Sequence, residues 1–163
     1  SRYSICIHCN HYDIVGSTGD EILESMRAGA PIVDGAPMAG VTKFSWSYQT
    51  SDCSNMDNTA IKAIVDTTMP HWKDNSESSE LLKEKWVQFY DALLIHENGH
   101  RQMLLELTKE NETTTKSADN CDAANKGVKE NHAKYREIGL SYDQDTDHGR
   151  TQGAHASILE GIQ

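Results

Sequence analysis

The sequence predicts an α+β fold, a short antiparallel sheet packed on one long helix with a second helix toward the C-terminus. Three observations carry this. Residues 41–50 alternate Phe44, Trp46 and Tyr48 against Lys43, Ser45, Ser47 and Gln49, the period-two pattern of a half-buried strand. Residues from about 76 to 109 carry an apolar stripe at Leu82, Trp86, Phe89 and Leu93, spaced four, three and four, which is one face of a helix. Residues from about 119 to 139 place Cys121, Ala124, Val128, Tyr135 and Ile138 on one side of a second helix.

The other elements follow in chain order. Residues 3–15 alternate weakly through Ile5 and Ile7 and then Ile14 and Val15, and read as an early strand. The run Gly16-Ser17-Thr18-Gly19-Asp20 is a turn, and Thr18 or Asp20 can cap a helix over 21–28. Gly29 and Pro31 oppose its continuation. Residues 31–40 hold two prolines and two glycines and read as a loop. After a polar turn at 51–57, residues 59–69 alternate again and form an antiparallel hairpin with 41–50, ended by Pro70. Ser76 and Ser79, followed by Glu80, supply capping chemistry for the long helix. From Ser141 onward the chain reads as a polar tail.

With 163 residues, the whole chain 1–163 suits one domain with one core. The apolar fraction of 37% and charged fraction of 25% are those of a soluble globular protein. No apolar run approaches the roughly 18 to 20 residues needed to span a bilayer. A formal net charge of −10 repels phosphate backbones and anionic lipid, so neither nucleic acid nor membrane insertion is expected. Among Cys6, Cys9, Cys53 and Cys121, a Cys53–Cys121 bridge is favoured, because it staples a loop to a helix. It implies an oxidising compartment. Cys6 and Cys9 on an extended strand stand too far apart to pair, so pairing them needs a turn.

Continuing the stripe of the long helix past Leu93 brings His96 and His100 to positions where the pattern expects apolar side chains. Buried imidazoles need partners. The local sequence is His96-Glu97-Asn98-Gly99-His100, an HExxH motif. Histidines four apart stand one above the other on a helix and can reach one ion. Glu97, about 100° around the helix, can approach a metal-bound water as a general base. Gly99 costs a helix interior roughly 1 kcal/mol relative to alanine, and a close crossing by another segment would explain it. A catalytic zinc needs a third protein ligand and an open position. Glu130 and His132 on the second helix and His148 in the tail are the candidates.

The HExxH helix, the early segment His11-Tyr12-Asp13-Ile14-Val15-Gly16 and the tail Tyr142-Asp143-Gln144-Asp145-Thr146-Asp147-His148-Gly149 together resemble the DUF922 family of predicted secreted zinc-dependent proteases. Further markers are Thr42, Cys53, Pro70-His71-Trp72, Trp86 and Cys121. The resemblance covers about residues 11–154. It implies a zincin-like peptidase exported from a bacterial cytoplasm, secreted or periplasmic, and it raises His148 above Glu130 as third ligand. The segment Cys6-Ile7-His8-Cys9 departs from the family pattern. With His11 it is a weak candidate for a second metal site.

The expected function is therefore a zinc-dependent endopeptidase. Zn2+ would be held by His96, His100 and His148, with Glu97 as general base and Tyr142 as a candidate oxyanion donor. Asp143 or Asp147 can orient a ligand histidine. The substrate would be a peptide or protein, met by a monomer, with residues 59–69 offering an edge for an extended chain. The rival expectations are a zinc-stabilised binding domain without turnover and a zinc amidase acting on a cell-wall amide.

Overall fold

The computed structural model describes residues 9–163. Cys6 and His8 lie outside the described residues, as does the first part of the strand expected over 3–15. What is described of that strand is β1 (Cys9–Ile14). It is followed by α1 (Gly19–Gly29), a small hairpin β2 (Ile32–Val33) and β3 (Ala36–Pro37), then β4 (Val41–Gln49), β5 (Ala60–Trp72), α2 (Glu80–Ser117) and α3 (Cys121–Thr146). Short 3-10 turns at Arg150–Gln152 and Ala156–Leu159 close the chain.

The α+β class holds. The hairpin of β4 and β5 forms in register from Val41↔Thr68 to Gln49↔Ala60. The sheet itself is mixed rather than antiparallel, because β1 runs parallel to β5 on its other side, in the order β1-β5-β4. That corrects a second expectation: β5 is the central strand, and the edges among the described residues belong to β1 and β4. Pro70 does not end β5. Beyond Thr68 the partner β4 has stopped, so one side of β5 is open and a missing N–H there costs no ladder bond. Within 31–40, Asp34 and Gly35 both take positive φ, 51° and 81°. This is the Asp-Gly turn that favours a two-residue hairpin.

Both long helices start where side chains cap them. The Leu82 N–H donates to Ser79 Oγ at 3.2 Å and the Ala123 N–H to Asn120 Oδ1 at 2.9 Å. Thr18 caps α1 in the same way, accepting from the Glu21 N–H at 3.2 Å. The predicted stripe of α2 is the core: Leu82, Trp86, Phe89 and Leu93 are buried, packed with Ile14, Ile22, Met69, Trp72 and Leu159. Each such side chain contributes roughly 1.5–3 kcal/mol on burial. The stripe fixes α2 beneath the sheet, so everything further along that face is held by the same contacts.

α3 runs through Gly139 to Thr146, so what reads as a polar tail is another turn and a half of helix. It packs antiparallel on α2, and its N-terminus is tied to the loop after β4 by a Cys53–Cys121 disulfide spanning 68 residues. Cys9 is also disulfide-bonded. No helix among the described residues is long and apolar enough to cross a membrane.

Replacing both Cys53 and Cys121 by serine removes a constraint worth about 4 kcal/mol for a loop of this length. Thermal denaturation should then show a clearly lower Tm, with reductant having no further effect through this bridge. An unchanged Tm would mean that packing alone fixes the start of α3.

Candidate functional site

His96 and His100 project from adjacent turns of α2, with ring centroids 4.9 Å apart. α3 brings Asp143 against both. Its Oδ1 lies 3.1 Å from His96 Nε2 and 2.7 Å from His100 Nε2. Among the described residues this is the one group of three His, Cys, Asp or Glu side chains whose donor atoms all lie within 4.8 Å of one another. The separations are a little shorter than the roughly 3.3 Å edge expected between donors bonded to one zinc at about 2.0–2.2 Å.

The tautomer of His96 is fixed from behind. Tyr142 donates its hydroxyl proton to the His96 carbonyl at 3.0 Å and accepts from Gln152 Nε2 at 3.0 Å. The amide orientation of Gln152 follows from this network, and it turns Oε1 toward His96 Nδ1 at 2.8 Å. Nδ1 therefore carries the proton, and in a neutral ring Nε2 offers its lone pair toward Asp143. A carboxylate oxygen facing an imidazole lone pair is repulsive. Only a further proton or a cation among the three groups resolves it.

Charge tuning agrees with this geometry. Burial works against the charged form of His96, but hydrogen bonds to Asp143 and Gln152 and the charges of Glu97 and Asp143 outweigh it and raise the pKa. Burial also opposes ionisation of Asp143, yet its bonds to His100 and His96 and their charges hold its carboxyl far below the usual carboxylate range. Glu97 moves the other way. Burial raises its pKa above that of an ordinary glutamate, against the lowering effect of Thr42 and the two histidines.

Glu97 is buried beside this group and held from the sheet. Thr42 Oγ1, at the start of β4, donates to Glu97 Oε2 at 2.6 Å and lies 3.0 Å from Thr67 Oγ1 on β5. Glu97 and His96 line a cleft of about 530 Å³. Leu23 and Met26 of α1, Met38 to Gly40 ahead of β4, and Ala154 and Ala156 of the C-terminal segment form its walls.

The glycine of HENGH has the expected explanation. A Cβ on Gly99 would come within 2.1 Å of the Tyr142 hydroxyl, so this close approach of α3 to α2 requires glycine there. Tyr142 stacks on the His96 ring at 4.9 Å and 9°. Its hydroxyl donates to the His96 carbonyl, so here Tyr142 positions His96.

His148 is not brought into the three-residue group. Asp147 and His148 take left-handed backbone angles at the end of α3, and the His148 N–H bonds to the Asp143 carbonyl at 2.7 Å. That turn seats Gly149 against the His96 ring and leaves the His148 side chain exposed at the rim of the cleft. Glu130 is exposed, and His132 Nε2 is 2.9 Å from Asn111 Nδ2 further along the helix pair. The residues missed by sequence reasoning are Asp143 as a donor and Gln152 as the group that orients His96. Reading 140–146 as helix would have found Asp143, because it falls opposite His100 on antiparallel α2.

In chelator the protonated His96–Asp143 contact dominates. His96 has a raised pKa, so its contribution is present below the ordinary imidazole value of about 6.5 and is lost as pH rises through the raised value. Burying ionised Glu97 acts in the same direction. Asp143, with a depressed pKa, contributes above about pH 3.9 and loses that contribution only as pH falls. The metal-free protein should therefore show a Tm that declines between about pH 5.5 and 8, and this decline should be flattened in Asp143→Asn. A Tm that rises over that range, equally in both proteins, would contradict the assignment.

A family model described as "Bacterial protein of unknown function (DUF922)" matches residues 9–149. No curated protein and no solved structure matches the chain.

Proposed function

This chain belongs to the bacterial DUF922 family of unknown function, and from that premise we propose that it is a zinc-dependent hydrolase cleaving peptide bonds, with His96, His100 and Asp143 as metal ligands and Glu97 as general base. The observation that carries this reading is the convergence of two imidazole nitrogens and one carboxylate oxygen on a single point, beside a buried glutamate that is not a member of the group.

The donor set suits zinc, which takes nitrogen and oxygen ligands and in catalytic sites keeps a position open. Zinc bound there lowers the pKa of a water ligand toward roughly 7 and polarises a carbonyl. The protein's own groups do the rest. Gln152 holds His96 in the Nδ1–H tautomer, so Nε2 is free to ligate. Asp143 supplies the anionic ligand. Glu97 accepts a proton from the attacking water and passes it to the leaving amine nitrogen. Its raised pKa brings that exchange closer to neutral pH, and the Thr42 hydroxyl keeps the carboxylate oriented. The cleft walls offer apolar surface to substrate side chains flanking the scissile bond. The disulfides fit a protein exported from the bacterial cytoplasm.

Glu97→Gln should retain zinc and lose at least about 100-fold in hydrolysis of a casein mixture, while Asp143→Ala should lose the metal and His148→Ala should keep it, as read by metal analysis after dialysis. Cell-wall fragments incubated in parallel, with and without chelator, test the amidase alternative. Full activity in pure Glu97→Gln would remove the base assignment, and zinc retained in Asp143→Ala but lost in His148→Ala would remove the ligand assignment.

A further inference from the structure

A larger cavity, of about 1280 Å³, lies between the outer edge of β4 and the first half of α3. β4 pairs with β5 on one side and, among the described residues, with no strand on the other. Alternate N–H and C=O groups along its outer side are therefore free of ladder bonds. Six consecutive residues, 46–51, line the cavity, so strand backbone as well as side chains borders the space. In it the Tyr48 hydroxyl donates to Asn125 Oδ1 at 2.6 Å, and His132, which also lines it, stands edge-on to Phe44 at 5.5 Å.

The charge of this groove runs against that of the molecule. The chain carries 25 acidic and 15 basic residues, yet no Asp or Glu lines the groove, whereas Lys129 and Arg136 do, both exposed. The groove also leads toward the site already described. Arg136 and Asp143 lie on the same helix, seven residues and about 10 Å apart.

We propose that this groove binds an extended, acidic polypeptide segment, which adds to the edge of β4 as a further strand and places carboxylates against Lys129 and Arg136. Main-chain bonds to the strand edge supply affinity without sequence preference, and the two cations select acidic side chains. Residues 46–50 offer an edge of roughly 17 Å, enough for about five residues of an added strand. The binding needs neither bound metal nor Glu97, so it stands independently of the hydrolase reading.

The test uses the full chain carrying Glu97→Gln, in chelator, so that loss of turnover or of metal cannot affect the outcome. The probes are fluorescein-labelled peptides of about ten residues, alternating Glu and Val or alternating Lys and Val, measured by anisotropy. The Glu peptide should bind, weaken as salt is raised, and lose affinity when alternate amides are N-methylated in the register that pairs. Lys129→Glu with Arg136→Glu should weaken it at least about tenfold. Both positions are exposed, so the fold should be unchanged by circular dichroism. Trp46, which borders the groove, should report binding by a fluorescence change that is absent in Trp46→Phe. A Lys peptide that binds as tightly, a charge reversal without effect, or no binding by the Glu peptide would overturn the proposal. So would a concentration-dependent dimer abolished by the same charge reversal, since it would assign the edge to a second copy of this chain.

Discussion

The close crossing of α2 and α3 is the constraint on which the rest depends. It brings the Asp143 carboxylate against both imidazoles, with Oδ1 3.1 Å from His96 Nε2, whose lone pair faces it, and 2.7 Å from His100 Nε2. Groups of this kind in a partly dry site repel unless something positive lies among them. The surrounding structure gives them no room to part. Leu82, Trp86, Phe89 and Leu93 anchor α2 beneath the sheet, Gly99 admits Tyr142, and the disulfide at Cys121 ties down the far end of α3. The packing thus favours a positive charge among the three groups, which the proposed zinc would supply.

Around that centre the polar groups divide by function. The elements behind the histidines fix them: Gln152 sets the tautomer of His96, and Tyr142 holds its carbonyl and stacks on its ring. The sheet side holds Glu97, the proposed base, with Thr42 bonded to it from β4 and Thr67 behind it on β5. Glu97 and Asp143 are carboxylates in one site whose environments drive their pKa values apart, Asp143 down by the histidines and Glu97 up by burial. Such separation assigns different tasks to like groups. The depressed pKa of Asp143 suits the ligand proposed for it, and the raised pKa of Glu97 suits the proposed base.

The centre of this arrangement was legible in the sequence because periodicity carries it. The stripe of α2 projected both histidines inward, the alternation of 41–50 and 59–69 gave the hairpin, and the glycine of HENGH signalled a close crossing that Tyr142 supplies. The family resemblance matched the shown family, and the Cys53–Cys121 pairing forms. What was lost follows from two physical effects. The helix expected to end at about residue 139 runs on to Thr146, with Gly127 and Gly139 inside it. Gly127 lies where a Cβ would meet the Thr114 methyl at 2.4 Å, so it serves helix packing rather than a stop. The family resemblance put His148 forward as third ligand and Asp143 stood only as a residue orienting a histidine, whereas the left-handed turn at Asp147 and His148 aims the chain so that Gly149 backs His96. The parallel placement of β1 depends on long-range pairing that no local pattern encodes, and with it went the expectation that β5 offers an edge.

The most direct measurement of the central claim is X-ray absorption at the zinc edge of the zinc-loaded protein. One zinc per chain is expected, with two imidazole scatterers and a shell of oxygen ligands including a carboxylate, and Asp143→Ala should retain no zinc after dialysis. Three imidazoles around the metal, a sulfur shell, or no stoichiometric zinc at all would contradict it.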